Sequence, residues 1–298
     1  MQLVLEKRAE RSKAIALISP LIAIGLTIVT MSILFAILGK NPISALGVYF
    51  IDPLTDSYSL QELVVKATPL VMIAIGLSLC YLANAWNIGA EGQFLIGAVA
   101  GSWLAVKTQG TGAGHWVLPA MLLLGAVAGA LYALIPAICK VRFGASEILT
   151  SLMLVYVADL FLDYLVRGPW RDPAGFNSNQ LILLTFAISG ALAGLAGIIE
   201  VAGPVGHLQP GISPGYGFTA IIVAFLGRLN PVGILIAGLF LALTFIGGEQ
   251  AQIAMKIPLD VTKVFQGILL FYVLACDSLI LYRFRLIFAS RQVPSGTG

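Results

Sequence analysis

Seven acidic residues stand in or at the ends of strongly apolar stretches: Glu91, Glu147, Asp159, Asp163, Glu200, Glu249 and Asp277. An ionisable group inside a membrane segment costs about 2.5–3.5 kcal/mol on insertion scales, so such residues mark solute paths, ion pairs or helix caps. Glu91 is the most exceptional. It lies in NAWNIGAEGQ, residues 84–93, with Asn87, Gly89, Gly92 and Gln93 around it and no lysine or arginine. Glycines let the chain leave helical geometry, and irregular backbone at membrane depth is tolerated only where it lines a cavity or is buried in protein. Asn87, Glu91 and Gln93 are therefore candidates for lining a polar solute pathway bordered by a broken helix. Glu91 also suits the first turn of a helix starting at the water boundary. The two readings are compatible, because the end of a half-helix can face a pore.

A second polar break lies in GPVGHLQPGISPGYGFTAIIVAFLG, residues 203–227. Pro210, Gly211, Pro214, Gly215 and Gly217 give an extended entry into a short apolar piece. Paired interrupted segments in corresponding halves are the best sequence pointer to a transport site. Tyr216 and Phe218 flank Gly217, placed either to stack on a planar or sugar-like solute or to sit at headgroup level. Glu249, in GGEQAQ (247–252), belongs to a pore mouth or to a solvated loop. Glu200 caps a neighbouring half-helix or faces the pathway. Glu147 follows Ser146, an N-cap type, and favours the helix dipole. Asp159 and Asp163 are four apart, hence on one helix face, which suggests a wet surface. His115 and His207 are lone loop residues, and no metal site is expected.

Several chemistries are excluded. The phosphate-binding G-x-x-x-x-G-K-[ST], the metalloprotease H-E-x-x-H and the nucleophile elbow G-x-S-x-G are all absent. No catalytic residue and no bound cofactor are expected, and transport energy must come from a partner or an ion gradient. Cys80, Cys139 and Cys276 are isolated in or beside apolar runs and read as small apolar filler.

The elements that must position these groups are membrane helices. Of 298 residues, 59% are hydrophobic and 10% charged, with mean hydropathy +0.96; a soluble domain carries about 25% charged residues. Nine apolar candidates are visible, at about 14–38, 65–83, 92–107, 116–139, 146–166, 181–203, 217–227, 231–248 and 262–282. In lipid these should be helices, because backbone groups must pair within the segment. The expected fold class is an all-α integral membrane protein, a polytopic bundle with broken or re-entrant helices, in one transmembrane domain over 1–298. The segments 92–107, 217–227 and 231–248 fall short of the roughly 20 residues of a full span. The run after Lys7, Arg8, Arg11 and Lys13 is too long for a signal peptide and reads as an uncleaved first helix. Glycine pairs four apart, Gly97/Gly101, Gly125/Gly129 and Gly190/Gly194, suggest close helix packing. The N-terminal basic cluster, Lys140/Arg142 and Arg283/Arg285/Arg291 all look cytoplasmic. Two cytoplasmic ends require an even number of crossings, yet nine candidates are visible.

In combination, NAWNIGAEGQFLIGAVAGSWLA, KVRFGASEILTSLMLVYV, YLVRGPWRDPAGFN, FAISGALAGLAGIIEVAG, GISPGYGFTAIIVAFLGRLNPVGILIAGLF and GGEQAQ resemble permease subunits of bacterial ABC importers for nucleosides and simple sugars, in the branched-chain amino acid/ribose permease superfamily. NIGAEGQ and RGPW resemble the longer of the two permeases in nucleoside-type systems. The likeness runs from about residue 60 to 282. It implies a transport subunit in the bacterial cytoplasmic (inner) membrane with both termini cytoplasmic. It also implies a second permease, two cytoplasmic ATPase subunits that use ATP and Mg, and a solute-binding lipoprotein. No nucleic-acid partner is expected. By the same resemblance the seam at 84–93 and the segment 213–218 border the translocation pathway.

One departure is marked. After RGPWRDP the family has a further span and a cytoplasmic loop that docks into the ATPase, whereas here Phe176–Gln180 runs almost straight into Leu181. A restored span gives ten crossings and satisfies the charge parity. Without that loop, Arg142 and Phe143 in KVRFGAS remain as the candidate ATPase contact. Two alternatives stay open: an ion-coupled secondary transporter using Glu91 and Glu200, and a non-transporting assembly or regulatory subunit.

Overall fold

The computed structural model describes residues 2–7, 13–108, 116–167, 182–200, 213–258 and 260–287. His115, His207, the 203–212 part of the second break and the RGPW loop lie outside the described residues, as do the surroundings of Gly190 and the side chain of Asp277. Among the described residues eleven helices follow one another: α1 (Lys13–Ile37), α2 (Pro42–Phe50), α3 (Asp52–Thr55), α4 (Ser57–Leu82), α5 (Ala90–Thr108), α6 (Val117–Phe143), α7 (Glu147–Arg167), α8 (Ile182–Glu200), α9 (Tyr216–Leu226), α10 (Pro231–Met255) and α11 (Asp260–Leu281). Two strands, β1 (Gln2–Lys7) and β2 (Tyr282–Ile287), pair antiparallel from Gln2↔Ile287 to Lys7↔Tyr282. This ribbon is an addition to the helical bundle. Tyr282–Ile287 alternates aromatic or aliphatic residues with arginines, a short period-2 signal that helical patterning hides. Its pairing is possible because α1 and α11 pack side by side, tied by a 2.9 Å Thr30–Tyr272 hydroxyl contact.

Among the described residues, five helices are long and apolar enough to cross a membrane: Ile18–Ile37, Ser57–Leu82, Val117–Phe143, Glu147–Leu165 and Pro231–Met255. Two of these outrun the apolar signal. Asp56 caps α4 by accepting from Ser59 N–H at 3.0 Å, so the helix starts eight residues before the apolar run and carries Glu62 and Lys66. Asn230 caps α10 ahead of Pro231, and the helix continues through GGEQAQ to Met255. The expectation that 231–248 is a short segment, with 247–252 as a possible loop, is therefore corrected. Gly247 and Gly248 are helical, and a Cβ on either would strike the Tyr49 carbonyl or the Thr262 hydroxyl. α9 is short, as its sequence suggests. Between the first two apolar runs the chain forms α2, α3 and the start of α4.

Glycines set the heart of the bundle. A Cβ on Gly97 would meet Gly194 Cα, one on Gly194 would meet the Gly125 carbonyl, and one on Gly101 would meet Ile198. The pairs on α5 and α6 thus converge on Gly194 of α8, and three backbones approach as closely as small residues allow. The same contacts give direction. Gly97 and Gly101 meet Gly194 and Ile198, so α8 runs parallel to α5. Gly89 and Gly92, in the seam and the first turn of α5, meet Ser151 and Val155, so α7 is parallel to α5 as well. At 1.5 Å per residue, the end of α7 and the start of α8 are about 30 Å apart along the bundle, the thickness of a bilayer core. The helices on either side of residues 168–181, α7 and α8, therefore run the same way along the bundle. Bulky apolar side chains of α1 and α7, among them Leu21, Val29, Ile33, Leu149, Met153 and Leu160, face outward, as lipid contact requires.

Candidate functional site: a buried polar junction and a charged mouth

The opening seam begins where α4 ends. Asn84 takes a left-handed conformation (φ 54°) that breaks the helix, and residues 85–89 run without regular structure to Ala90. Asn87 and Gln93 hold this stretch. The Asn87 amide donates to Gln93 Oε1 at 3.1 Å, and the Gln93 amide donates back to Asn87 Oδ1 at 2.9 Å. Asn87 Oδ1 also accepts from Gly89 N–H at 3.0 Å, and Tyr81 Oη donates to the Asn87 carbonyl at 3.2 Å. Both amides are buried and paired, which offsets the cost of placing them in the interior.

Glu91 begins α5 and reaches across to another helix. Its carboxylate accepts from Gly217 N–H at 2.5 Å and is also hydrogen-bonded by Ser213 and the Phe218 backbone. Ser213 Oγ in turn accepts from Gly215 and Tyr216 N–H at 3.2 and 3.1 Å. Gly215 is left-handed (φ 101°) at the N-cap of α9, and a Cβ on Gly217 would strike the Glu91 backbone nitrogen. The positive ends of two interrupted helices therefore meet over one carboxylate, a favourable placement for negative charge. Glu91 sits in the first turn of its own helix and also ties the two polar breaks together.

The other predicted residues separate. Tyr216 is buried, its ring edge-on to Phe94 at 5.9 Å and to Phe245 at 5.7 Å, and its hydroxyl donates to Glu200 at 3.3 Å. Phe218 is exposed. Only Phe218 presents its ring outward in this conformation. Glu249 makes an ion pair with Lys66 at 2.6 Å, and Lys66 also faces Glu62 at 4.0 Å. Glu62, Lys66 and Glu249 thus join α4 to α10 in one charged cluster, the charged mouth, while Tyr216 of α9 joins the buried Glu200 of α8. Lys66, which lies inside the apolar run 65–83, and Glu62 just before it were not singled out in the sequence; their four-residue spacing was the available signal. Asp159 is exposed and Asp163 half-buried on α7.

At the opposite end, Arg142 and Phe143 finish α6 and are exposed. Gly144 turns left-handed (φ 66°), and Ser146 Oγ caps α7 by accepting from Leu149 N–H at 3.4 Å. Glu147 pairs with Lys140 and accepts from Trp86 N–H at 3.5 Å. Phe225 of α9 stacks on Tyr81 at 5.0 Å and on Trp86 at 6.1 Å. Among the described residues no group of three or more His, Cys, Asp or Glu could hold a metal.

Residues 59–178 and 171–274 match the branched-chain amino acid transport system permease component family. The chain belongs to that family. It is 30% identical to a glucose ABC transporter permease protein of Haloferax volcanii, covering 85% of this chain and 86% of the relative. It is 24% identical to a guanosine ABC transporter permease protein of Bacillus subtilis, over 86% and 92%, and 23% identical to a nucleoside ABC transporter permease protein of Lactococcus lactis, over 85% and 89%. No solved structure matches. The chain is a multi-pass membrane permease subunit of an importer, and its relatives are transport subunits rather than enzymes. The alignment to the Haloferax relative spans 328 residues, longer than this whole chain of 298, and the two family matches meet within 171–178.

Proposed function

We propose that this permease moves a nucleoside or a simple sugar inward across the cytoplasmic membrane, driven by ATP and Mg bound on separate ATPase subunits. A second permease and a solute-binding lipoprotein complete the assembly. The relatives named for glucose, guanosine and nucleosides favour that solute class. The observation that carries the reading is the junction of Glu91 with Gly217. It joins two broken helices inside the bundle, and its separation would open a route lined by Asn87, Glu91 and Gln93. Glu200, Tyr216, Phe218 and Glu249 line the mouth on the side from which solute enters. Both termini lie in the cytoplasm, in keeping with their basic residues and with the β1–β2 pairing that brings them together.

A crossing helix belongs between α7 and α8. Residues 168–181 are too few, and contain Pro169, Pro173 and Gly175, to form a span, and extended backbone cannot cross lipid unaided. The parallel run of α7 and α8 and the longer relatives support a missing segment there. If the gene itself lacks it, a non-transporting assembly role becomes the better reading. Intact-mass measurement with DNA sequencing around residue 180 decides between omission and deletion.

The test of function is radiolabelled guanosine and glucose uptake into liposomes holding the permease with its partners. ATP-dependent uptake is expected. Uptake that runs on a proton or sodium gradient with no ATPase present favours the ion-coupled alternative.

A further inference from the structure

One buried amide is left half-bonded between the charged mouth and the α5–α9 junction. Gln266, on α11, is 7% exposed. Its Oε1 accepts from the Thr219 hydroxyl of α9 at 3.0 Å. Its Nε2 is buried and has no hydrogen-bond partner among the described residues. Thr219 can meet only one end of the amide, so turning the group over would strand the oxygen instead of the nitrogen. The adjacent Phe265 is buried against Tyr49, Phe50 and Phe240. In so apolar a setting an unpaired donor is costly, and a methionine of the same length would fill the space without it.

The place of this amide is fixed from two sides. Helix α11 starts just after α10 ends, and Gly248, next to Glu249 of the mouth, packs on Thr262. Gln266 lies about one turn beyond Thr262, deeper in the bundle. On its other side, Thr219 is two residues past Gly217, which bonds Glu91. We infer that Gln266 binds the solute, its free N–H group donating to an uncharged oxygen, a sugar hydroxyl or a base carbonyl, as the solute passes from the mouth to the junction. Thr219 holds the amide by its oxygen and leaves the nitrogen for the solute. Parting of α9 from α5 moves Thr219 and uncovers the group. The inference rests on the transport reading above and adds a contact within that route.

The test uses the permease with its partners in liposomes, with radiolabelled guanosine and radiolabelled glucose, beside a thermal melt of the permease in detergent. Gln266→Met should leave the melt unchanged or raised, because Thr219 can turn its hydroxyl to a carbonyl of its own helix. It should nonetheless lower ATP-dependent uptake per folded permease about tenfold, the worth of roughly one hydrogen bond. Thr219→Val strands the amide oxygen and keeps the nitrogen, so it should lower the melt and reduce uptake less. A loss that includes glucose places the contact on a sugar hydroxyl, and a loss confined to guanosine places it on the base carbonyl. A Gln266→Met permease that melts lower and loses uptake only in proportion to folded protein has lost a structural residue, which overturns the inference, as does uptake equal to that of the unaltered assembly. Failure of the unaltered assembly to take up either solute with ATP would sink the functional reading itself, a separate failure.

Discussion

Two polar regions sit inside the same bundle and are built on opposite principles. At the α5–α9 junction, Asn87, Gln93 and Glu91 are buried and bonded chiefly to backbone and to each other. At the charged mouth, Lys66 and Glu249 are held by mutual attraction across α4 and α10, with the Glu249 side chain 47% exposed. Removing one member of the buried set strands a donor that water cannot reach, at a cost of about 1–3 kcal/mol. Removing one member of this part-buried pair, with Lys66 16% and Glu249 47% exposed, should cost less than that, because solvent reaches the Glu249 carboxylate. The junction is suited to two discrete states, closed and parted, whereas the mouth can adjust gradually.

The comparison can be broken in order of effect. Gly217→Ala should be the most damaging substitution, because its Cβ lands on Glu91 backbone. We expect more than about 3 kcal/mol of destabilisation, read as loss of the monodisperse peak and of the thermal transition in detergent. Glu91→Ala should abolish uptake yet leave insertion intact, at about 3 kcal/mol for the stranded N–H groups of α9. Glu91→Gln, which keeps one acceptor, should recover part of the thermal midpoint. Asn87→Ala should cost about 1–3 kcal/mol by unpairing Gln93, visible in the same melt. Lys66→Met should shift the melt less than the Asn87 change and should alter the salt dependence of uptake. The smallest effect belongs to Asp56, a cap that faces water. The Ser59 backbone N–H holds its carboxyl below the ordinary value of 3.8. Its contribution is therefore present above that value and fades only as the pH falls below it. A pH titration of the melt should show Asp56→Ala converging with the parent protein only in strong acid.

Much of this architecture was legible in the sequence. The apolar runs place the helices, and the glycines at 97, 101, 125 and 129 announce close packing. What they cannot give is the partner: Gly194 serves both pairs, which depends on the direction of α8. The two polar breaks were visible as breaks, and their meeting at Glu91 and Gly217 was not, since 126 residues separate them. Helix α10 ran past its apolar signal because Gly247 and Gly248 pack against Tyr49 and Thr262, a tertiary reason that local polarity conceals. Lys66 was hidden for the same cause, as a helix can carry a charge whose partner lies on another helix. The alternation in Tyr282–Ile287 needed Gln2–Lys7 as its mate before it meant a strand.

The central claim is that the junction of α5 and α9 parts during transport. It is tested most directly by single cysteines at positions 88 and 218, in a permease whose Cys80, Cys139 and Cys276 have been replaced, assembled with its partners in liposomes. Labelling by a membrane-impermeant thiol reagent should be slow at position 88 at rest and should rise there when ATP and solute are supplied, with the already exposed position 218 as the reference. If position 88 stays unreactive from either side in every state while uptake proceeds, solute takes another route and the account is wrong.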